Sequence, residues 1–476
     1  MLAVLAPLLV FGLVIFIHEL GHFLAAKLTG VYAPRFSIGF GPALWRRRHG
    51  ETEYVLAALP LGGYVRMASR HDAETSFIEG GGEGESDALK AGAPGYDPEA
   101  MVPFGPKPVP EHRWFESKSL AARLFIMVAG VAMNILLAFV VLTGLALTYG
   151  EPVIATRVVG AVHPLATAPS LVQLQPGDTI VAVNGAPVRT WSEIVERIDG
   201  AAPGAVVLRT NRGEVTVPVG TPGRPTSQQL IGAVDFFIAP VIGDVLPGSP
   251  AKRSGLRAGD SIVTIGDQPV ERWSQLQERV TPAAGTDLPF QVRRGGKVLS
   301  FTVRPESTSQ KDPATGTMRS VGKIGAAAAD PTTRVPIGVV DAVAAGARGT
   351  WITAGKIVDT VRGLLTREVS VRQLGGPIAI TRASVAAAQS GIESLLFLIA
   401  LLSVNVAVLN LLPIPILDGG QILINVAESA KGSPFSARTR ENILRFGLVA
   451  ILLIFVMSTF NDVVMGFRDI MARLFG

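Results

Sequence analysis

The chain has 476 residues, 48% of them hydrophobic and only 17% charged, with a mean hydropathy of +0.39. It is too long for one domain and too apolar to be wholly water-soluble. Without cysteine it has no disulfide framework, thiolate metal site or cysteine nucleophile, and its net charge of +5 comes from basic residues clustered beside apolar segments, which argues for membrane topology and against nucleic acid.

The first predicted element is an apolar helix within residues 1–30, running from Leu2 to about Leu28. It has no basic leader and no small-residue cleavage site, so it reads as a retained span. It carries His18-Glu19-Leu20-Gly21-His22. On a helix, positions i and i+4 share a face, so both imidazoles converge on one metal while Glu19 stands beside the open coordination position. That is the pattern of metal-assisted hydrolysis, with the carboxylate as general base. Three ionisable groups in a span are costly and point to function.

Residues 31–70 read as a membrane-associated hairpin region, with two short strands in Tyr54–Met67 broken at Pro60 and Gly62-Gly63 and lying near the first helix. Residues 71–118 read as an acidic, Gly/Pro-rich linker, disordered over 72–100, with Trp114-Phe115 returning to the membrane surface. A second span occupies 119–150. Next comes a repeat: Leu174-Gln175-Pro176-Gly177-Asp178-Thr179-Ile180-Val181 recurs 82 residues later as Leu256-Arg257-Ala258-Gly259-Asp260-Ser261-Ile262-Val263. A turn ending in Gly-Asp, a buried strand, a second turn and a helix resemble the PDZ domain, giving β-rich domains at 151–225 and 226–306.

Residues 307–393 read as a linker with amphipathic helices, packed either on the outer membrane surface or against the second β-rich domain. The third span covers 394–420, a loop 421–445, and the fourth span 446–467. Basic residues cluster in the loops after the first and third spans, which places those loops in the cytoplasm and the long segment after the second span outside. His18 and His22 then fall in the cytoplasmic half of the membrane. The fold class is therefore a multi-spanning α-helical membrane protein of about four spans, with a tandem pair of PDZ-like domains on the extracytoplasmic side.

The candidate third ligand is Asp418, in Asn410-Leu411-Leu412-Pro413-Ile414-Pro415-Ile416-Leu417-Asp418-Gly419-Gly420. Pro413 and Pro415 exclude a regular helix, so the chain unwinds near Asn410, which membrane depth tolerates only beside a cavity or inside protein. Asn405 and Asn410 are candidates for binding substrate backbone or an oxyanion, or for helix-to-helix hydrogen bonds. His49, His71, His112 and His163 read as surface residues.

Together, the H-E-L-G-H motif, the PDZ-like pair and N-x-x-P-x-P-x-L-D-G-G resemble the site-2 protease family of intramembrane zinc metalloproteases, over nearly the whole chain. The resemblance implies Zn2+ as cofactor, His18, His22 and Asp418 as its ligands, Glu19 as general base, and Asn410 and Asn405 as substrate-binding amides. It also implies an edge strand at Gly63, Tyr64 and Val65 that binds extended substrate by strand addition. The implied substrates are single-span membrane proteins, namely anti-sigma factors already trimmed by an upstream site-1-type protease, and remnant signal peptides. The implied location is the bacterial inner membrane. This sequence departs from the family's pattern at Gly130-Val131-Ala132-Met133-Asn134, where relatives have Gly-Pro before the Asn, and at Gln421, where many have His. The acidic insert at 72–100 is also longer than expected.

The repeat pair would act as a gate, reading trimmed carboxyl termini or excluding large outer domains. Neither copy has a clear carboxylate-binding loop ahead of its Gly-Asp strand, which favours exclusion. A non-catalytic PDZ scaffold would hold zinc with four closed ligands, and only three are found. A membrane metal carrier leaves Glu19 and the repeat unexplained.

Overall fold

The structure, a computed structural model, describes residues 2–69, 96–246, 248–311, 318–366 and 375–475. Its contacts divide the chain into a unit formed by 1–150 with 336–467 and a unit dominated by 151–335.

In the first unit, α1 (Leu2–Leu28) is followed by strands β1 (Arg35–His49) and β2 (Thr52–Arg66), then α2 (Leu120–Tyr149), α3 (Val339–Leu365), α4 (Pro377–Ser390), α5 (Ile392–Asn410), α6 (Asp418–Lys431) and α7 (Ala437–Phe475). Among the described residues, four helical stretches are long and apolar enough to cross a membrane: Leu5–Leu28, Leu120–Tyr149, Ile392–Asn410 and Arg438–Val464. Ser119 caps α2 by accepting from the Ala122 amide, and Gly432, at φ +77°, closes α6 in the left-handed conformation.

The helices meet through small residues, which let backbones approach. A Cβ at Gly21 would lie 2.3 Å from the Ala129 carbonyl oxygen, so α1 and α2 touch main chain to main chain there. Val10 and Val14 of α1 pack on Leu395 and Ile399 of α5. Ala138 of α2 meets Ala400 and Val404 of α5, with Ala354 and Ile357 of α3 against the same cluster. Between α4 and α7, the buried Asp462 carboxylate accepts from the backbone N–H groups of Gly376, Ile378 and Ala379, each at 3.0 Å, and so caps α4.

The sheet of the first unit is more folded than two paired strands. Residues 35–38 pair on one side with 53–56 and on the other with 63–66, while 45–49 pair with the far side of 52–56. The order across the sheet is therefore 45–49, 52–56, 35–38, 63–66. Segment 63–66 forms one edge and 45–49 the other.

The second unit holds the repeat. Each copy has a four-stranded antiparallel sheet, in order 186–187, 180–183, 204–210, 214–219 in the first and 268–269, 261–265, 288–294, 297–303 in the second. Trp191–Asp199 and Trp273–Val280 are the equivalent helices, and each copy has its own core. The Gly-Asp turns serve the same purpose twice. Gly177 (φ +96°) and Gly259 (φ +88°) turn the chain, and the buried aspartates that follow accept from the amides of Gln175 and Arg257. Asp260 also takes two charge-assisted bonds from Arg294, at 2.6 and 2.7 Å, and Asp178 pairs with Arg212 at the equivalent place.

Several expected boundaries move. Strand Val234–Phe236 pairs with Val159–Val162, and Leu230 and Val234 lie in the first core, so the first domain extends past 225. Ala326–Ala328 pairs with Ile242–Val245, and Ile324 belongs to the second core, so the second domain extends past 306. The expected linker at 307–393 therefore begins with strands, because these residues complete a sheet. Its long helix, α3, packs along α2, where Gly346 lies against Thr143.

The third span ends at Asn410, and Asp418 opens a separate helix, because the prolines break the ladder between them. The expected loop 421–445 is largely helical, through Lys431 and again from Ala437, so the fourth helix starts before 446. Most of the disordered-linker expectation for 72–100 lies outside the described residues. The described remainder, 96–118, is folded: Arg48 lies over the Phe104 ring at 4.3 Å and Arg113 binds Glu51 through both oxygens at 2.8 and 2.9 Å. Strand β1 lies within the hairpin region expected at 31–70 but ahead of the two short strands expected in Tyr54–Met67.

Candidate active site

His18, Glu19 and His22 stand on the buried side of α1, midway along an apolar helix that cannot satisfy them by itself. The neighbouring helices complete their environment. The His22 Nδ1–H donates to the Ile126 carbonyl of α2 at 2.8 Å, which fixes the tautomer and leaves Nε2 with a free lone pair. That nitrogen is 3.2 Å from His18 Nε2 and 3.5 Å from Asp418 Oδ1, and His18 Nε2 is 3.3 Å from Asp418 Oδ2. Asp418 Oδ2 is buried without a hydrogen bond. Two imidazole lone pairs and a carboxylate facing each other at such distances repel unless a cation lies among them. Ligands about 2.05 Å from a tetrahedral zinc sit roughly 3.3 Å apart, so the spacing and the His/His/carboxylate donor set fit that metal. Among the described residues this is the group of His and carboxylate side chains arranged for metal binding.

Two residues of α2 support the imidazoles, and their positions explain why a span of plain apolar appearance matters. A Cβ at Gly130 would lie 2.3 Å from His22 Nε2 and 2.9 Å from His18 Cε1, so only glycine leaves room for both rings. The Asn134 amide, fully buried, sits 3.3 Å from His18 Nδ1, and its Oδ1 has no other partner. With that oxygen turned to accept from the Nδ1–H, the orphaned atom is satisfied and His18 also presents Nε2. Ser403 of α5 donates to the Asn134 carbonyl at 2.8 Å and ties α2 to α5 at this level.

The three side chains open into a cavity of about 690 Å3. Its walls include Ile15 and Glu19 of α1, Gly63, Tyr64 and Val65 of the sheet edge, Met127 of α2, Asn410 of α5, and Arg440, Leu444 and Ile451 of α7. A Cβ at Gly63 would be 2.9 Å from Glu19 Cγ and 3.1 Å from Ile15 Cγ2, so the strand backbone runs directly past the carboxylate. The Asn410 amide group lies 3.0 Å from His18 Nε2.

Of the residues singled out from sequence, His18, Glu19, His22, Asp418, Asn410, Gly63, Tyr64 and Val65 all meet at this cavity. Asn405 is half-buried on α5 and does not line it, because five residues of helix turn it away from Asn410. Gln421 lines the cavity and donates to the Pro415 carbonyl at 2.7 Å, holding the unwound segment. His49, His112 and His163 are exposed, and His71 lies outside the described residues. The sequence reading missed Gly130, whose role depends on what faces it, and passed over Arg440, which it counted only as a topological charge.

An i, i+4 histidine pair, an adjacent glutamate and a distant aspartate within a bundle of apolar helices define a membrane-embedded zinc metallopeptidase. The match to known proteins is specific: the model of Peptidase family M50, the site-2 protease family, matches residues 6–454, and the chain belongs to that family. It is 31% identical over 475 residues to the regulator of sigma-E protease of Escherichia coli strain K12, covering 95% of this chain and 96% of that one. It is 32% identical over 465 residues to a protein of Neisseria meningitidis serogroup A whose name assigns it to the zinc metalloproteases, covering 94% and 95%. The protein is a membrane zinc metalloendopeptidase.

Proposed function

We propose that the protein is an intramembrane endopeptidase that hydrolyses peptide bonds in or near the transmembrane helix of single-span membrane proteins. His18, His22 and Asp418 hold the zinc, and Glu19 is the general base. Zinc supplies Lewis acidity there, acidifying water and polarising the scissile carbonyl. Glu19 takes the proton of the attacking water and passes it to the leaving amine. Asn410 donates its N–H to a substrate carbonyl or the developing oxyanion. Gly63, Tyr64 and Val65 add the substrate to the sheet as an extended strand, which a helical substrate requires because its carbonyls are otherwise bonded internally. The observation that carries the reading is the convergence of the three side chains, their ligand atoms 3.2–3.5 Å apart, beside a sheet edge that passes Glu19.

The resemblance implies the inner membrane, and the distribution of basic residues around the spans supports an orientation with the PDZ-like pair outside and the catalytic residues toward the cytoplasmic half. The two domains gate entry, and the substrates are anti-sigma factors trimmed by an upstream protease, together with remnant signal peptides. The name of the Escherichia coli relative is consistent with a place in such a pathway.

The test is zinc content together with cleavage of a single-span substrate by purified wild type, Glu19→Gln and Asp418→Ala. One zinc per chain, activity lost with metal kept in Glu19→Gln, and metal lost in Asp418→Ala are expected. Full activity in Glu19→Gln would overturn the assignment.

A further inference from the structure

The sheet edge opposite the catalytic one carries a feature that peptide hydrolysis does not use. Residues 45–49 form that edge, and beside it Leu44 and Trp45 are 71% and 53% exposed, with Arg46 and Arg47 exposed next to them. The pairing passes from Ala43↔Ala57 directly to Trp45↔Leu56, so Leu44 is an extra residue bulged out of the ladder. Leu56 and Leu59 add further exposed apolar surface. Among the described residues neither Arg46 nor Arg47 makes a side-chain hydrogen bond or ion pair within the chain, whereas the adjacent Arg48 is engaged by Asp97 at 3.4 Å and by the Phe104 ring.

Contacts within the same unit set the depth of this edge. Lys27, at the end of α1, binds Glu51 in the hairpin turn at 2.6 Å, which places the turn level with the point where α1 leaves its apolar stretch. Gly63 lies against Ile15 and Glu19, about 12 Å further along the helix axis. The sheet therefore runs from the interface into the depth of the spans. From the turn at Gly50 back to Trp45 is at most about 17 Å of strand, with Arg47 and Arg46 between. A tryptophan and a leucine at acyl depth, next to arginines whose stems reach the headgroup level, form an interfacial anchor.

We propose that Arg46 and Arg47, which project to opposite faces of the strand, bind the phosphates of anionic phospholipids in the leaflet from which the Lys27 end of α1 emerges, with Leu44 and Trp45 inserted against the acyl chains. The planar guanidinium suits a phosphodiester through paired hydrogen bonds, and a net negative headgroup adds long-range attraction that a zwitterionic one lacks.

Full-length protein in detergent, titrated with short-chain phosphatidylglycerol, with phosphatidylcholine of the same chains and with inorganic phosphate, and read by native mass spectrometry, tests this. Wild type should bind phosphatidylglycerol roughly tenfold to thirtyfold more tightly than the Arg46→Gln/Arg47→Gln double variant. Phosphatidylcholine should bind both alike, added salt should weaken only the wild-type interaction, and Arg46→Lys/Arg47→Lys should keep most of the affinity. Unchanged zinc content and melting temperature in the double variant show that the fold is intact. Equal phosphatidylglycerol binding by wild type and double variant, equal binding of the two lipids by wild type, or displacement of the lipid by millimolar phosphate, marking a free-phosphate site, would each overturn the proposal.

Discussion

Each histidine of the α1 pair works because of an atom on another helix. The Ile126 carbonyl and Asn134 hold the Nδ1 sides, and Gly130 leaves space for the rings. Gly130→Ala should therefore lower zinc content while leaving the protein folded in the membrane, because the new methyl would have to displace His22 Nε2; metal analysis of the purified variant checks this. Wild-type zinc occupancy in Gly130→Ala would show that the bundle can relax around the ring. Asn134→Ala should weaken zinc affinity by about tenfold to a hundredfold, as loss of an outer hydrogen bond to a ligand does, measured by competition with a chelator.

At the scale of elements, the hairpin delivers a bare strand edge to Glu19, and Gly63 is its point of closest approach. Gly63→Val should push Glu19 aside and reduce kcat/KM about a hundredfold, since roughly 1 Å of misplacement costs that much, with zinc retained. A loss of zinc in that variant would instead mean that the strand supports the ligands. A second contact couples the hairpin to its surroundings: Arg113 grips Glu51 through both oxygens, partial burial opposes this, Lys27 adds to it, and together they pull the carboxyl down to about 2. The folded value lies below the ordinary 4.5, so this stabilisation is full above pH 4.5 and is lost as pH falls toward 2. Hydrogen exchange in 35–56 should accelerate over that window in wild type, and Glu51→Gln should flatten the dependence.

At the scale of the whole molecule, the second unit is inserted between α2 and α3 by strands that meet each other. Glu151–Ile154 pairs antiparallel with Thr332–Val335, so the two ends of the insertion lie side by side. Replacing 151–335 by a short flexible linker should leave the zinc site loaded and, on the gating proposal, allow untrimmed substrate to be cut. Continued dependence on trimming would remove the second unit from the gate. Within that unit, burial works against ionisation of Asp260, but Arg294 and the Arg257 amide hold its carboxyl below the ordinary range. Arg294→Ala would strand the buried carboxylate and should destabilise the second copy by about 3 kcal/mol, read from hydrogen exchange of Ser261–Ile265 in the full chain.

The sequence by itself determined the helical spans, the i, i+4 histidine pair with its adjacent glutamate, the distant aspartate and the tandem repeat. These are local signals, set by the length of an apolar run, an i, i+4 spacing on a helix, or prolines that break one. What only the tertiary structure decided depends on contacts between segments far apart in the chain. β1 becomes legible only once two partner segments are seen to flank residues 35–38. Asn405 and Asn410 look alike in sequence, and only the packing of α5 turns one of them into the cavity. The domain ends at 225 and 306 moved because the closing strand of each copy arrives late in the chain, after the turn and helix that suggested an end. Gly130 carries no chemistry, and its role is legible only once two imidazoles are found where its side chain would have been.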